Sequence, residues 1–553
     1  MKQVLMMIGG THHPFEACAG IFKQAMEAGG QFAVTVTEDR DALIELSRFD
    51  AVAVYAVVGE LSQAQLDGLV SFVRGGGGLL AIHCANVVDA SQPEPYAEMV
   101  GSAFLEHGPI APFDVELTPD ASDVLPRVSA KFSVIDEFYT IEPRADAELR
   151  TLQYGLWQSQ KRLLGYARDY GKGKVLYTAL GHDERTFSHP VFQDVLFKSL
   201  RYVTGLREQG PLRFGLLGYG PAYGMGKHHA DQVRATQGFE LTAVCDTDPA
   251  RLQAARTEQG DRIALYSKAE QMAASGLIDV GVVILPHNLH LYGIKTLLNA
   301  GLHVITEKPF ALTAAECNET IALAKEKHAM LSVYHNRHWD SDVLTLKKIV
   351  DFGTIGEVFS LECNMVGYAR PGQAWRSHKP ISGGLLYDMG AHQFEKVFQL
   401  VPKTDGSGRP INRTARLWGH FLKKVWHDTT NEDYVRAYVK FDGGVEAQLI
   451  QASICSAAKP LWTVLGTKGS VVINDWTSTA VVTTVDEAGS QYTTELAQES
   501  GRWGAYYKNV ADHLLAGAPL IITAEWAKAP IQCIEGCQIA AQGDRVVEVA
   551  FAF

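Results

Sequence analysis

The stretch FGLLGYG, residues 214–220, decides the fold of most of this chain. Its apolar run is typical of a buried strand, and Gly218 and Gly220 end that strand before the helix-like segment KHHADQVRA (227–235). Glycines in such a turn let the backbone approach a pyrophosphate closely, and the helix N-terminus that follows supplies amide donors. The pattern predicts a strand–turn–helix unit that binds a dinucleotide.

The glycine loop is longer than the usual GxGxxG pattern. Tyr223 holds the position of the third glycine, and Gly224 and Gly226 come after it. We expect Tyr223 and Gly226 to lie at the cofactor together with Gly218 and Gly220. A plain strand-to-helix turn is the alternative interpretation, because any such turn can hold glycines.

Asp246 indicates which dinucleotide binds. It ends the next predicted strand, LTAVCDTD (241–248), where a carboxylate can accept hydrogen bonds from ribose hydroxyls and would repel a 2′-phosphate. The position therefore predicts NAD rather than NADP as the cofactor. A carboxylate that only caps the following helix is the alternative.

Composition narrows the classes of partner. The 553 residues are 46% hydrophobic and 20% charged, and the formal net charge is -12. This balance argues against nucleic acid and anionic membranes as partners, since both bind basic faces. The sequence contains no run of about 20 apolar residues, so no membrane span is expected. The start MKQVLMMIGG is typical of a first buried strand rather than a signal sequence. Eight scattered cysteines without paired CxxC motifs suggest free thiols in a reducing cytoplasm.

Hydrophobic patterns predict three domains. Residues 1–207 alternate buried strands with helical segments, as in a doubly wound α/β domain, with parallel strands expected at 4–10, 50–58 and 78–85. Residues 211–335 continue this alternation as a Rossmann domain. Residues 336–553 carry long alternating runs with a hairpin turn at Asp442-Gly443-Gly444, which predicts an α+β domain with an antiparallel sheet.

Four motifs, in order along the chain, resemble those of the Gfo/Idh/MocA oxidoreductases. They are LPHNLHLYGIKTLLNAGLHVITEKPFA (285–311), GGLLYDMGAHQFE (383–395), VLGTKGS (464–470) and YYKNVADHLLAGAPLIITAEWA (506–527). The resemblance implies a Rossmann domain followed by an open antiparallel sheet. It also implies hydride exchange between a nicotinamide and a carbon of a sugar or inositol, and a homo-oligomer joined through the C-terminal sheet.

By this resemblance, the catalytic positions of the family are held by Lys308, Asp388 and His392. Lys308 stands at the end of a predicted strand (303–309), where open α/β sheets bind their ligands, and its ammonium can stabilise a developing alkoxide. His392 has an ordinary pKa near neutrality and suits proton transfer. Asp388, four residues earlier on a helix, can orient that imidazole or bind the substrate. Each residue alone is more typical of a solvated surface than of a catalytic site, and only their combination with the glycine turn favours catalysis.

Further cofactor contacts are expected from these motifs and from the loop before Gly383. The residues are Pro286, Asn288, His290, Glu307, Lys308, Trp375 and Arg376. Trp375 is a candidate to cover the nicotinamide or to stack on a sugar face, with a packing role as its alternative. The usual Pro-Asn pair of the family is interrupted here as Pro286-His287-Asn288.

The first domain resembles the ThuA-like, trehalose-utilisation proteins, which implies a glutamine-amidotransferase-like fold. The resemblance is carried by GGTHHPF (9–15), GGLLAIHCAN (77–86), FLEHGP (104–109), DEFYTIEP (136–143) and YGKGKVLYTALGHD (170–183). In an amidotransferase, a sharp strand-to-helix turn carries the nucleophilic cysteine. Here that position aligns with His83 rather than Cys84, which argues against glutaminase activity.

Four histidines of this domain follow predicted strands and are weak candidates for metal ligands: His13, His83, His107 and His182. Glu137 and Asp183 belong to the same motifs. Strand ends converge in such folds, so these side chains can share one pocket that binds a metal or the hydroxyls of a sugar. Satisfied histidines in a purely structural domain are the alternative.

The motifs together predict an NAD(H)-dependent oxidoreductase that acts on a secondary hydroxyl or keto group of a carbohydrate, with a fused sugar-handling domain. A second interpretation is an NAD-recycling glycoside hydrolase. It would oxidise carbon 3 to acidify the hydrogen on carbon 2, and elimination, hydration and reduction would then complete the cleavage. A ligand sensor built on a degenerate dehydrogenase is the third, and the intact Lys308, Asp388 and His392 argue against it.

Overall fold

The computed structural model describes residues 1–57, 61–87, 94–206, 210–220, 224–404 and 410–551, so Tyr223 lies outside the described residues. It divides the chain into two compact units. The first is Met1–Gly210 with Ala511–Pro519, and the second is Pro211–Val510 with Leu520–Phe553. Of the helices described, none has the length and apolarity needed to cross a membrane.

The first unit is built on one mixed sheet. Its described strands are β1 (Lys2–Gly9), β2 (Phe32–Thr37), β3 (Ala51–Ala56), β4 (Gly78–Ile82), β5 (Ser102–Leu117), β6 (Lys131–Pro143), β7 (Arg150–Trp157), β8 (Gln160–Tyr170) and β9 (Gly173–Thr178). They follow the order β2-β1-β3-β4-β9-β8-β7-β5-β6. The half from β2 to β9 is parallel, and the pairs from β9 to β6 are antiparallel.

The parallel half confirms the α/β fold expected from the sequence. Every residue of β3 and β4 is buried, which explains their unbroken apolar runs. The helices of the unit are α1 (Phe15–Glu27), α2 (Gln63–Arg74), α3 (Glu94–Val100), α4 (Glu184–Phe187) and α5 (Pro190–Val203). The sequence does not predict the antiparallel half, because several of its strands mix exposed and buried positions and so lack an unbroken apolar run.

Residues 511–519 complete the first unit, although they come late in the sequence. The Asp512 carboxylate accepts from Arg127 Nε at 2.8 Å and pairs with Lys198 Nζ at 3.1 Å, and all three side chains are nearly inaccessible to solvent. Arg201 donates to the Ala516 carbonyl at 2.9 Å. The segment therefore supplies a buried carboxylate to two buried cations of this unit.

The second unit begins with a parallel sheet of Rossmann order. Its strands are β10 (Leu212–Leu217), β11 (Phe239–Cys245), β12 (Ala264–Tyr266), β13 (Val280–Val283), β14 (His303–Thr306) and β15 (Leu331–Val333), arranged β12-β11-β10-β13-β14-β15. The helices between them are α6 (Met225–Ala235), α7 (Pro249–Gln259), α8 (Ala269–Ala273), α9 (His290–Asn299) and α10 (Ala314–Glu326). The strand order reverses between β10 and β13, and ligands of such sheets bind in the crevice at that point.

A largely antiparallel sheet forms the rest of the second unit, as the sequence predicts. Its strands are β16 (Val358–Val366), β17 (Thr414–Leu422), β18 (Tyr434–Phe441), β19 (Glu446–Ala452), β20 (Trp462–Gly466), β21 (Gly469–Ile473), β22 (Ala480–Val485), β23 (Gln491–Leu496) and β24 (Val547–Ala550). The β16–β19 pair is parallel, and the expected hairpin joins β18 to β19. The accompanying helices are α11 (Ser341–Asp351), α12 (Lys379–Ser382), α13 (Leu385–Leu400), α14 (Ala505–Ala516) and α15 (Ala524–Gly543), and only residues 505–510 of α14 belong to this unit.

Candidate functional site

The three glycines expected at the cofactor, Gly218, Gly220 and Gly226, have three different surroundings. Gly218 has φ +108°, and a Cβ there would lie 2.1 Å from the Ile284 carbonyl oxygen. Gly226, in the first turn of α6, would place a Cβ 2.8 Å from the Cα of Tyr219. At Gly220 a Cβ would meet no atom of the described residues within 4 Å. Packing therefore requires glycine at 218 and 226, whereas at 220 a side chain would only fill open space.

A cavity of about 680 Å³ opens at the switch point of the parallel sheet. It is lined by Leu217, Gly218, Gly220, Met225, Cys245, Asp246, Thr247, Ser267, Lys268, Ala269, Glu270, Ile284, Leu285, Pro286, His287, Leu289, Tyr292, Glu307, Lys308, Trp375 and Arg376. Most of the residues expected at the cofactor thus line this one cavity. The open space at Gly220 faces this cavity, which is the fit that a closely approaching dinucleotide requires.

Three of the residues expected at the cofactor lie away from the cavity wall. Gly226 packs against Tyr219 instead. Asn288 is exposed. His290 is fully buried, with Nδ1 2.7 Å from the Pro309 carbonyl oxygen and Nε2 3.0 Å from that of Leu285, so its ring ties two loops together.

His287 stands in the wall where the family pattern has its Pro-Asn pair. Its Nδ1 lies 2.8 Å from the Ser382 carbonyl oxygen, and its ring meets the edge of Trp375 at 4.8 Å between centroids. Burial, together with His290 and Lys308, lowers the pKa of His287 well below its ordinary value. The sequence flags this residue only as an interruption of the family motif.

Asp246 holds the glycine loop in place. One carboxylate oxygen accepts from the Tyr219 amide at 2.7 Å, and the other accepts from the Asp248 amide at 2.9 Å. The residue follows β11 and lines the cavity. Its negative charge is therefore fixed where a ribose would bind in a Rossmann fold.

Lys308 and Asp388 form an ion pair at the end of the cavity. Lys308 Nζ lies 2.7 Å from Asp388 Oδ1 and 2.7 Å from the Asp388 carbonyl oxygen, and Arg376 Nη1 donates to the same Oδ1 at 3.0 Å. Burial alone would raise the pKa of Asp388, but the two cations hold it far below its usual range. Asp388 is thus a carboxylate that fixes the Lys308 ammonium at the cavity.

Glu307 binds the backbone amide of Lys308. Its Oε2 accepts from the Lys308 amide at 3.0 Å, and its Oε1 lies 3.0 Å from His229 Nε2. Burial would raise the pKa of Glu307, but His229 and Lys308 lower it overall. Although Glu307 lines the cavity, its carboxylate is engaged with the protein.

His392 differs from the expectation in two ways. Asp388 does not orient it, because that carboxylate is turned to Lys308 and Arg376; His392 Nδ1 has no hydrogen-bonding partner among the described residues. Burial, together with Lys308 and Arg337, lowers its pKa well below the ordinary value, so the imidazole is neutral at physiological pH. One turn of α13 separates it from Asp388.

His335, which follows β15, is a neighbour that the sequence does not single out. Its ring centroid lies 6.0 Å from that of His392, and neither of its ring nitrogens has a partner among the described residues. Burial lowers the pKa of His335 to about 4. Both histidines are buried and neutral, and both are close enough to Lys308 for its charge to lower their pKa.

The histidines of the first unit do converge. His182 Nδ1 lies 3.1 Å from His13 Nδ1 and 3.1 Å from Glu137 Oε2, and His83 Nε2 lies 3.7 Å from the same oxygen. His107 stays at the rim, with Nδ1 3.4 Å from Glu137 Oε1. Burial, with His83 and His182 adding to it, lowers the pKa of His13 to about 3.

The turn after β4 contains both His83 and Cys84. His83, not Cys84, has the left-handed conformation (φ +50°) at the end of the strand. Cys84 is fully buried, and burial raises the pKa of its thiol far above the ordinary value. Asp183 is not part of the cluster, because its carboxylate caps α4 and pairs with Arg185.

A parallel sheet of Rossmann order with a glycine-lined cavity at its switch point defines a dinucleotide-binding class of protein. Comparison with known families places the chain within it. The oxidoreductase family with an NAD-binding Rossmann fold matches residues 212–335, and the C-terminal alpha/beta domain of that family matches residues 347–549. The trehalose utilisation family matches residues 3–203.

Individual proteins agree with these matches. The uncharacterised oxidoreductase YdgJ of Escherichia coli is 30% identical over 264 residues, which cover 47% of this chain and 70% of that protein. The scyllo-inositol 2-dehydrogenase (NADP(+)) IolW of Bacillus subtilis is 25% identical over 372 residues, covering 62% of this chain and 97% of that protein. The crystal structure of an NAD-binding protein from Listeria innocua, 25% identical, covers 61% of this chain and 96% of that chain, with a TM-score of 0.53.

The chain therefore belongs to the Gfo/Idh/MocA oxidoreductase family and carries a ThuA, trehalose-utilisation domain in front of it. Both resemblances drawn from the sequence are confirmed.

The glycines at 218 and 220 are expected to respond differently to alanine. Gly218→Ala should lower the free energy of unfolding by about 1–3 kcal/mol, because it forces an alanine into a left-handed conformation and against the Ile284 carbonyl. Gly220→Ala should leave stability unchanged but weaken dinucleotide binding by roughly tenfold or more. Thermal denaturation and calorimetric titration with NAD(H) and NADP(H) measure the two effects. Unchanged dinucleotide affinity in Gly220→Ala would contradict the assignment of the cavity.

Proposed function

We propose that the protein is an NAD(H)-dependent oxidoreductase that acts on a secondary hydroxyl or keto group of a carbohydrate. The observation that carries the proposal is the Lys308 ammonium, held by Asp388 at one end of the glycine-lined cavity. The names of a relative, a scyllo-inositol dehydrogenase, and of the family of the first unit, trehalose utilisation, both support a carbohydrate substrate.

The residues of the cavity fit a nicotinamide dinucleotide. Gly218 and Gly220 would lie under the pyrophosphate, Asp246 would accept from the ribose hydroxyls, and Trp375 would cover the far end beside His287. When bound, the nicotinamide supplies a hydride acceptor or donor for the substrate carbon.

Lys308 and His392 supply complementary parts of the chemistry. The Lys308 ammonium donates to the reacting oxygen and stabilises the negative charge that develops on it during oxidation. His392 is neutral because burial and Lys308 disfavour its protonated form, so it can accept the hydroxyl proton. Asp388 acts by positioning Lys308.

Activity that depends on neutral His392 should persist as the pH falls from 8 to 6, because its pKa lies well below the ordinary value near 6.5.

Substitution of Lys308 or His392 is expected to affect turnover rather than cofactor binding. Lys308→Ala and His392→Ala should each lower kcat by ~10²–10⁴-fold, the usual contribution of a positioned acid or base. Calorimetric affinity for the dinucleotide should stay within a few-fold. Lys295→Ala is the matched control, because this lysine is exposed and pairs with Glu319 on the surface. Near-full activity in either site variant would refute its role.

Asp246 is expected to set the preference for NAD(H) over NADP(H). Asp246→Ser should relax the preference toward NADP(H), because it removes the charge that repels a 2′-phosphate. Glu270→Gln is the matched control, since Glu270 is another carboxylate of the same cavity wall. Dissociation constants for both cofactors measure the effect, and tighter NADP(H) binding by the unmodified protein would contradict the proposal.

Redox balance separates net oxidation from NAD-recycling cleavage of a glycoside. An oxidoreductase releases reduced cofactor in proportion to product, which absorbance follows directly. Recycling cleavage releases the aglycone without net reduction and exchanges the hydrogen on carbon 2 with deuterated solvent. Aryl glycosides of both anomeric configurations and the corresponding free sugars should be tested with and without added NAD. Aglycone release without net reduced cofactor would overturn the proposal.

A further inference from the structure

Three imidazoles and one carboxylate converge in the first unit, at the end of its parallel strands. His13 lies in the loop after β1, His83 follows β4 and His182 follows β9, while Glu137 is on β6. The ligand atoms of the three histidines all lie within 4.8 Å of one another. The oxidoreductase chemistry proposed above uses none of these groups.

His182 Nδ1 is the centre of this cluster, because it lies close to two other potential metal ligands at once. His182 Nδ1 faces both His13 Nδ1 and Glu137 Oε2, each at 3.1 Å. A neutral imidazole has at most one proton at Nδ1, so it cannot donate to the carboxylate while it accepts from His13. A single proton at this nitrogen would have to be shared between the two neighbours, whereas a cation among the three atoms would accept a lone pair from each of them.

His83 adds a second sign that a ligand belongs here. Its Nδ1 lies 2.7 Å from the Ala179 carbonyl oxygen and donates to it, which leaves the lone pair on Nε2. That Nε2 is buried and has no hydrogen-bonding partner among the described residues, and its closest acidic neighbour is Glu137 Oε2 at 3.7 Å. Metal-bound histidines have this arrangement, in which a carbonyl fixes the tautomer of the ligand.

The distances suit a tetrahedral ion. Nitrogen and oxygen ligands ~2.0–2.1 Å from zinc lie roughly 3.3 Å from one another in a tetrahedron. The two separations of 3.1 Å and the one of 3.7 Å bracket that value. Asp136 strengthens the frame, since its carboxylate accepts from the amides of Gly181, His182 and Glu137 and so fixes the backbone of two of the four groups.

We propose that His13, His83, His182 and Glu137 bind one divalent transition-metal ion of the zinc class. Imidazole nitrogens with a single carboxylate select such ions over calcium and magnesium, which require mostly oxygen ligands. His107 is outside the ligand set, because its Nδ1 is directed to the other oxygen of Glu137 and to the Gly108 carbonyl.

Metal binding to the full-length protein tests this proposal without reference to its activity. Protein stripped with a chelator should take up one Zn²⁺ or Co²⁺ per chain in calorimetry, and Co²⁺ should give the visible absorption of a four-coordinate site. Zn²⁺ should also raise the melting temperature, because an ion that binds only the folded state stabilises it.

Conservative variants locate the ion. Glu137→Gln, His182→Gln and the double variant His13→Gln/His182→Gln should each weaken Zn²⁺ binding by ~100-fold or more while keeping the circular dichroism of the folded protein. His12→Gln is the matched control, because His12 is exposed and adjacent to His13. Failure of the unmodified protein to bind Zn²⁺ and Co²⁺ would overturn the proposal, and so would binding that survives in the double variant.

Discussion

The ion pair between Lys308 and Asp388 is the contact on which the site of the second unit depends. Lys308 belongs to the loop after β14 of the parallel sheet, and Asp388 belongs to α13, the helix that accompanies the antiparallel sheet. Lys308 is buried, so its ammonium without Asp388 would lose its paired carboxylate in a medium of low dielectric constant, whereas Asp388 is also held by Arg376. The two halves of the site are therefore held together by the same contact that holds the Lys308 ammonium at the cavity.

Helix α13 can carry this contact because it is fixed near both ends. At its start, Glu432 Oε2 accepts from the Leu385 amide at 3.0 Å. Toward its end, the fully buried Lys396 pairs with Asp340 and Asp342, each at 2.8 Å. A helix anchored at two points cannot rotate about its axis, so the direction of each side chain between the anchors is set. Asp388 and His392 lie between them and inherit that rigidity.

The sequence predicts what local pattern controls. The unbroken apolar runs of β3 and β4 and the turn at Gly218 follow from burial on two faces and from sterics. The antiparallel half of the first sheet does not follow from local pattern, because pairing between strands of mixed burial depends on residues that are distant in sequence. The same limit applies to residues 511–519, whose place is decided by the partners of Asp512 rather than by their own pattern.

Within the site, residue types are predictable and partners are not. Helical spacing suggests that Asp388 orients His392. The carboxylate instead pairs with Lys308, which is distant in sequence but carries the opposite charge. His290 belongs to a motif of the family, yet its ring is used to join two loops. His335 gives no sequence signal, because its significance comes only from burial and from ring nitrogens that have no hydrogen-bonding partner in the described part of the chain. Such properties arise from tertiary contacts alone.

The place of Asp512 in the first unit also bears on how the protein is made. A ribosome completes residues 1–210 well before it reaches Asp512, so the nascent first unit contains Arg127 and Lys198 while the carboxylate that joins them has not yet been synthesised. Lys198 also pairs with Asp194 at 2.9 Å, but burying two cations with one of their carboxylates missing is costly. Final closure of this region must therefore wait until Asp512 has left the exit tunnel, about 300 residues after the rest of the first unit, which leaves the region accessible to chaperones and proteases in the meantime.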